Sequence, residues 1–359
     1  MGKICLIAFH DLYLMQFLYK YTEILDANGI KYDVIYWERE EEAKIVRSFN
    51  GNAICYSFKT SYYGSKLAKV KGYLLYINFV KKTLSEGHYD KAILFTTQAA
   101  LPMYLFSRKI RKNIPYIYDY RDLTYEKNPI LRKIIKNIIN NSYFTSISSM
   151  GFKEVLGDSE KYLLSHNCSE ELTYCPVEKK CGEKVRIVYW GMVRQVDFNR
   201  EIIDLFGNDP RFEIVYHGAG HTDELEKYCH EKKYANIIFT GKYTTDEIPN
   251  FVSHTDILMN MYENDWQQKL ATTVKLYDGM RYGLPMIITK GSHMENLMRG
   301  QNYVFSLDPQ SDSADIVYQW YIKLSRRENV YSDEIQSIRA DDEAFKNRLL
   351  ASNALVPGA

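Results

Sequence analysis

Residues 270–290 read LATTVKLYDGMRYGLPMIITK, a helix-like segment that runs into a strand-like one. A short amphipathic helix is expected to stop at Gly283, the natural C-cap, and Pro285 keeps it from resuming. Met286 to Thr289 then have the apolar, β-branched character of a buried strand. Lys275 and Asp278 stand three apart near the helix start, so they share one face. The helix amides and Lys275 suit a diphosphate, and Asp278 suits a pair of vicinal ribose hydroxyls. Thr273, at the head of the helix, is a further polar candidate for the same ligand. The alternative is a surface ion pair on an ordinary helix, which would carry little energy.

The same alternation extends in both directions. In the second half, strands are expected at Val185–Trp190, Phe212–Tyr216, Asn236–Thr240 and Ile257–Asn260. Helices are expected at Glu201–Phe206 and Asp223–Lys232, with a further helix start at Thr245–Pro249. In the first half, strands are expected at Ile4–Phe9, Tyr32–Trp37, Lys91–Thr96, Tyr116–Asp119 and Tyr143–Ser146. Helices between them are expected at Tyr13–Asn28, Ser65–Ser85, through Arg111, and around Ile130–Asn140. Strands that alternate with helices give parallel βαβ units, and ligands of such sheets bind beyond the carboxyl ends of the strands. The chain of 359 residues is long for one core, which implies two domains of roughly 150 to 180 residues each.

The fold expected is therefore α/β, with two Rossmann-like domains and a cleft between them. Residues 1–168 form the first domain, 169–184 a Cys/Pro/charge-rich linker, and 185–312 the second domain. Residues 313–350 are expected to be helices, and 351–359 a tail.

Forty-six basic and 45 acidic side chains leave a net charge of +1, so no overall field recruits nucleic acid. Six cysteines, at 5, 55, 168, 175, 181 and 229, include no CxxC pair and read as free thiols in a reducing compartment. No signal-peptide pattern and no run of roughly 20 apolar residues is seen, so the expected localisation is cytoplasmic. Lys66–Lys82 and Lys127–Lys136 mix basic and apolar residues. They suit peripheral contact with the inner face of a membrane, or are half-buried helices with solvated lysines.

Lys-Leu-Tyr-Asp-Gly-Met-Arg-Tyr-Gly-Leu-Pro, 275–285, resembles the Lys-Leu-x-Glu-Tyr-x-x-x-Gly-x-Pro segment of GT-B glycosyltransferases similar to glycosyltransferase family 4. The resemblance covers the second half well and the first half in outline. In that family a carboxylate seven residues before the Pro holds the donor ribose, the place of Asp278. The family's second Glu, eight residues earlier, is Leu270 here. The resemblance implies a donor-diphosphate loop at Gly191-Met192-Val193-Arg194, with Arg194 as one cation and Lys269 or Lys275 as the other. It also places Tyr243 against the nucleotide base, and implies that the helices of 313–350, including Asp315–Arg326 with Trp320, pass back to the first domain.

Other candidates are read from position. His217-Gly218-Ala219-Gly220 follows a strand, and Gly218 and Gly220 would let a nucleotide approach the backbone, or would simply form a turn. Asn260, Tyr262 and Asn264 leave a strand into a polar loop suited to sugar hydroxyls, or to water. In the first half, Arg121 and Asp122 end a buried strand and suit the acceptor or the donor diphosphate. The alternative is an internal Arg–Asp lock. His10 and Asp11 follow the first strand as acceptor contacts, or as a helix entry and its N-cap.

With no Asp-x-Asp signature or metal-ligand cluster, no metal or cofactor is expected beyond the substrate nucleotide sugar. The expected activity is transfer of a hexose from a UDP-sugar to a glycan, glycolipid or glycoprotein acceptor, by resemblance with retention and without a metal. Two other classes share the architecture: a sugar-nucleotide 2-epimerase, and a non-catalytic subunit that supports a partner transferase. A homo-oligomer is a further open expectation.

Overall fold

The computed structural model describes residues 2–39, 47–60, 65–168, 171–180, 182–325 and 328–354. The chain divides into two compact units. One runs to Glu171 and is joined by the segment from Arg339, and the other is Leu172–Ile338.

The first unit contains β1 (Lys3–Ile7), α1 (Gln16–Ala27), β2 (Tyr32–Glu38), β3 (Asn52–Ser57), α2 (Lys66–Glu86) and β4 (Tyr89–Phe95). It continues through α3 (Thr96–Phe106), α4 (Arg108–Lys112), β5 (Tyr116–Tyr120), α5 (Pro129–Asn141), β6 (Thr145–Ile147), α6 (Lys153–Leu156) and β7 (Tyr162–Leu164). Its seven strands form one sheet in the order β3-β2-β1-β4-β5-β6-β7, with every pair parallel. Ile4, Leu6, Val34, Ile93 and Ile117 build the core from consecutive strands, and Leu18, Tyr21 and Leu25 of α1 cover them. Two of these strands escape the sequence reading. β3 is an edge strand whose residues are mostly exposed, so it lacks an apolar run, and β7 is only three residues long. The helix expected through Arg111 is two helices, parted at Ser107, whose hydroxyl accepts from Ile110 N and caps the second.

The second unit contains β8 (Val185–Trp190), α7 (Val196–Phe206), β9 (Phe212–His217), α8 (Thr222–Lys232), β10 (Ile237–Gly241), α9 (Ile248–Ser253) and β11 (Ile257–Asn260). It continues through α10 (Val274–Tyr282), β12 (Met286–Thr289), α11 (His293–Leu297), β13 (Val304–Leu307), α12 (Ala314–Ile322) and the start of α13 (Ser332–Ala354). Six parallel strands lie in the order β10-β9-β8-β11-β12-β13. Gly283 stops α10 in the left-handed region at φ 62°, with its amide bonded to the carbonyls of Gly279 and Met280.

The C-terminal segment differs in detail from its sequence reading. Helix α12, which begins at Ala314 and carries Trp320, stays in the second unit, and Arg326 lies outside the described residues. The segment that joins the first unit is the later part of α13, where Phe345 and Leu349 are fully buried in that unit's core. Residues 351–354 are therefore helix and not tail: Ser352 is buried and its carbonyl accepts from Lys91 Nζ. Residues 355–359 lie outside the described residues. Cys5, Cys55, Cys168, Cys175 and Cys229 are free thiols, and Cys181 lies outside the described residues.

Candidate functional site

In the second unit, the carboxyl end of β8 and the first turn of α10 meet. Lys275 is only 6% exposed, yet no hydrogen bond or ion pair holds its ammonium among the described residues. Nζ sits 4.1 Å from the ring centre of Tyr189 and 5.0 Å from that of Tyr262, a cation-π cradle and not a counter-ion. Burial pushes its pKa down to about 7, with Arg194 lowering it further and Asp278 opposing. The surface ion-pair alternative for Lys275 and Asp278 is thereby excluded.

Asp278 is half-buried, and the indole of Trp190, the last residue of β8, donates to its Oδ2 at 2.9 Å. Burial raises its pKa, while Trp190, Lys275 and Arg281 work the other way. Tyr243 belongs to the same neighbourhood: its pKa is raised by burial and then by the Asp278 charge, and its ring meets Phe251 edge-on at 5.3 Å. Arg194 is exposed, and its charge acts on Lys275, Tyr189 and Tyr262. Gly191 faces this group, because a Cβ there would stand 3.1 Å from Lys275 Nζ. The cluster thus gathers Gly191, Arg194, Tyr243, Tyr262, Lys275 and Asp278.

Thr273 contributes in an unexpected way. It is the N-cap residue of α10, but its hydroxyl makes no cap bond. It donates instead to Asn260 Oδ1 at 2.7 Å, and Asn260 is wholly buried at the end of β11. The N-cap side chain leaves the first-turn amides of α10 unbonded beside a lysine held by no ion pair among the described residues, an arrangement that attracts an anion.

Several expected contacts lie elsewhere. Asn260 is an internal anchor for Thr273 and does not reach a sugar. Asn264 is exposed and donates to the Lys290 carbonyl at 2.7 Å. It lines a hollow of about 320 Å³ together with Asp197, Glu201, Glu263, Asp308 and Lys290, a wall with four carboxylates to one ammonium. Lys269 is exposed on a 3-10 turn, Gln268–Leu270, and is not among the charges that act on Lys275, so Lys275 is the buried cation of the two. Leu270 is buried.

Gly218 and Gly220 are required by the close approach of a neighbouring loop. A Cβ on Gly218 would fall 1.8 Å from the Gly191 carbonyl oxygen, and one on Gly220 would fall 2.1 Å from that of Val193. The two strand-end loops are stitched by Gly191 N to His217 O at 2.9 Å and Val193 N to Ala219 O at 2.7 Å. His217 stacks flat on Phe251 at 3.7 Å and shares a 2.7 Å hydrogen bond with Thr240, and burial holds its pKa at about 4. An imidazole so fixed is a poor acid or base for epimerisation.

The first unit holds a separate group. Arg121 is buried and forms a two-pronged pair with Asp119, Nε to Oδ1 at 2.5 Å and Nη2 to Oδ2 at 2.7 Å. Its Nη1 donates to Ser165 O and Asn167 Oδ1. Arg121 is therefore the internal lock, with Asp119 as its partner and not Asp122, and its donors are taken away from an acceptor. Asp122 itself is exposed. Asp11 is buried and accepts from the Arg39 amide at 3.0 Å instead of capping the turn that follows it. Arg39 lays its guanidinium over Trp37 at 3.9 Å and Phe9 at 4.8 Å. Beside it, burial and then the Arg39 charge lower the pKa of His10 to about 4, so its ring is neutral.

Four contributors were missed in the sequence. Tyr189 and Trp190 look like core strand residues, and only their place at the strand end marks their polar tips as usable. Arg39 follows an ordinary strand. Thr96, the first residue of α3 after β4, has φ 65°, an outlier for a β-branched residue, and a sequence carries no sign of it. Among the described residues, no group of three or more His, Cys, Asp or Glu side chains is placed to hold a metal ion.

No family model matches the chain, and no curated protein matches it. Solved structures do. Sucrose-phosphate synthase from Thermosynechococcus elongatus matches with a TM-score of 0.68 at 11% identity, over 98% of this chain and 94% of that one. The apo form of the lipopolysaccharide outer core galactosyltransferase WaaB matches with a TM-score of 0.65 at 12% identity, over 98% and 99%. HepE from Anabaena, in complex with UDP and glucose, matches with a TM-score of 0.66 at 12% identity, over 99% and 100%. The chain shares with them the GT-B fold of two Rossmann-like domains.

Proposed function

We propose that the protein is a glycosyltransferase that moves a hexose from a UDP-sugar to a glycan, glycolipid or protein acceptor. The observation that carries this reading is Lys275: a buried ammonium that no hydrogen bond or ion pair holds among the described residues, facing Gly191 at a helix start whose amides the N-cap side chain does not bond. A diphosphate supplies the missing negative charge. Asp278, held by Trp190, then accepts from the ribose hydroxyls, and Tyr243 flanks the base. HepE, of the same fold, was solved with UDP and glucose, which supports UDP as the nucleotide.

In the reaction so assigned, the bond from the sugar to the diphosphate breaks and the acceptor hydroxyl oxygen takes its place. Negative charge grows on the departing diphosphate, where the buried Lys275 and the exposed Arg194 stabilise it. Retention, with the diphosphate helping to remove the acceptor proton, rests on the resemblance of 275–285 to the family 4 segment. A second reading has one observation in its favour: Leu270, where the family places a second Glu, is a buried core residue. A supporting subunit could keep the fold and lose that group.

Calorimetry with UDP, GDP, CMP and ADP on the wild type, Asp278→Ala and Arg194→Ala tests the proposal. UDP is expected to bind selectively, and Asp278→Ala to weaken it about tenfold to a hundredfold, as loss of charge-assisted hydrogen bonds does. A wild type that binds no nucleotide sinks the transferase reading. Nucleotide binding without turnover of any UDP-sugar on lipid, glycan or peptide acceptors would favour the supporting subunit.

A further inference from the structure

One helix of the first unit has two faces of unlike character. Tyr76, Val80 and Leu84 of α2 are buried, while on the opposite face Leu67 is 83% exposed, Val70 58% and Leu74 54%. Lys71, Lys81 and Lys82 lie on that same outward face, by the three- and four-residue spacing of a helix, and all are exposed. The face thus carries Lys71 among apolar residues over its first turns and is basic over its last.

The neighbouring elements extend it. Tyr73 of α2 donates to the Gln98 carbonyl of α3, and Lys109 of α4 donates to the Leu84 carbonyl at 2.8 Å. These bonds set Phe106, 56% exposed, with Arg108 and Arg111 beside the basic end of α2. Across α2, α3 and α4 the only acidic residue is Glu86, which pairs with Lys82 at 3.7 Å. The contrast with α5 is direct. That helix also mixes basic and apolar residues and exposes Ile130 in its first turn, but it buries Ile135, Ile138 and Ile139 and has no further large apolar residue exposed beside its outward Lys133.

We propose that the outward face of α2, with the adjoining ends of α3 and α4, docks on an anionic lipid bilayer, Leu67, Val70 and Leu74 entering the headgroup boundary and the lysines meeting lipid phosphate. Charge decides between occupants. A second copy of the same face would oppose lysine to lysine, whereas an anionic bilayer answers both the charge and the apolar stripe. No described helix is long and apolar enough to cross a membrane, so the contact is one of surface docking. The N-terminal half of α2 packs at the carboxyl edge of the first sheet, with Gly72 against Trp37 and the Tyr76 hydroxyl on the Ala8 carbonyl. A lipid-borne acceptor would therefore arrive at the end of the sheet where His10 and Asp11 lie.

Sedimentation of the full chain with phosphatidylcholine vesicles, with and without phosphatidylglycerol, tests the proposal. Binding is expected only with the anionic lipid, and added salt should release it. Lys81→Gln with Lys82→Gln should weaken binding about thirtyfold, from about fivefold per lysine. Leu67→Ser, Val70→Ser and Leu74→Ser together should weaken it at least about tenfold even at low salt. All these side chains are exposed, and the heat of UDP binding should be the same in both variants and the wild type. Absence of vesicle binding, or binding that neither variant alters, overturns the proposal. So does self-association, or capture of an acidic protein, that the same variants abolish in place of vesicle binding. Vesicle binding by a chain that binds no nucleotide would leave this proposal standing while the donor-site reading fails.

Discussion

At the scale of single residues, the informative quantity is the cost of keeping Lys275 dry. Its pKa of about 7 lies below the ordinary 10.5, so between those values the unfolded chain binds more protons than the folded one. The sign follows: stability rises with pH through that window, and below about 7 the full penalty is present. Relative to Lys275→Met, which fills the same space without charge, the wild type should gain up to about 5 kcal/mol as pH rises across the window. Denaturant unfolding of both proteins from about pH 6 to pH 9 checks this, and parallel curves would refute it. The same logic applies to the ligand. If the diphosphate sits on Lys275, UDP binding at about pH 8 should take up nearly one proton, read from binding heats in buffers of different ionisation enthalpy. Lys275 and Asp278 were legible because their spacing and the Gly-Leu-Pro that follows survive in one continuous stretch. Arg121 was visible as a charge in a buried strand, but its partner Asp119 could not be chosen over Asp122 without the strand's pleat. Trp190 and Tyr189 were invisible as functional residues, since nothing in an apolar strand says which side chain reaches past its end.

At the scale of elements, the two loops after β8 and β9 behave as one piece. Gly191, Gly218 and Gly220 all have φ between 123° and 151°, and the backbone of one loop occupies the space where a side chain of the other would be. Alternating strands and helices predicted where these loops begin, because a buried parallel strand is a continuous apolar run. The sequence could not show that the glycines serve loop-to-loop contact, since a turn glycine and a ligand glycine are written alike. A substitution separates the cases. Gly218→Ala drives a Cβ into the Gly191 carbonyl and should cost about 2 kcal/mol or more, while displacing Gly191 from Lys275 and weakening UDP binding. Gly29→Ala, with φ 63° and open space around it, should cost about 1 kcal/mol and leave UDP binding alone. Denaturant midpoints and UDP titrations on the pair decide it: equal effects from both variants would mean that backbone conformation, and not the packed carbonyl, sets the cost.

At the scale of the whole molecule, the second half was legible almost strand by strand, because its β8, β9, β11 and β12 are central and apolar. Among the edge strands β10 was legible, while β3, β7 and β13, short or partly exposed, were not; the return to the first unit, expected from the resemblance, is made by α13 and not α12, through contacts nearly the whole chain apart in sequence. Those contacts are substantial. Phe345 meets Tyr21 edge-on at 5.0 Å and Phe144 at 6.2 Å, and Lys20 pairs with Asp342 at 2.5 Å, so the end of the chain completes the core laid down by its beginning. Phe345→Ala should therefore cost about 3–5 kcal/mol, the transfer of a large aromatic plus the cavity it leaves. The loss falls on the first unit, whereas Lys275, Asp278 and Trp190 all belong to the second. Unfolding of this variant should accordingly separate into two transitions, with the earlier one moved to lower denaturant and UDP still protecting the later one. Loss of UDP binding at the same denaturant concentration as the first transition would show instead that the donor site depends on an intact first unit.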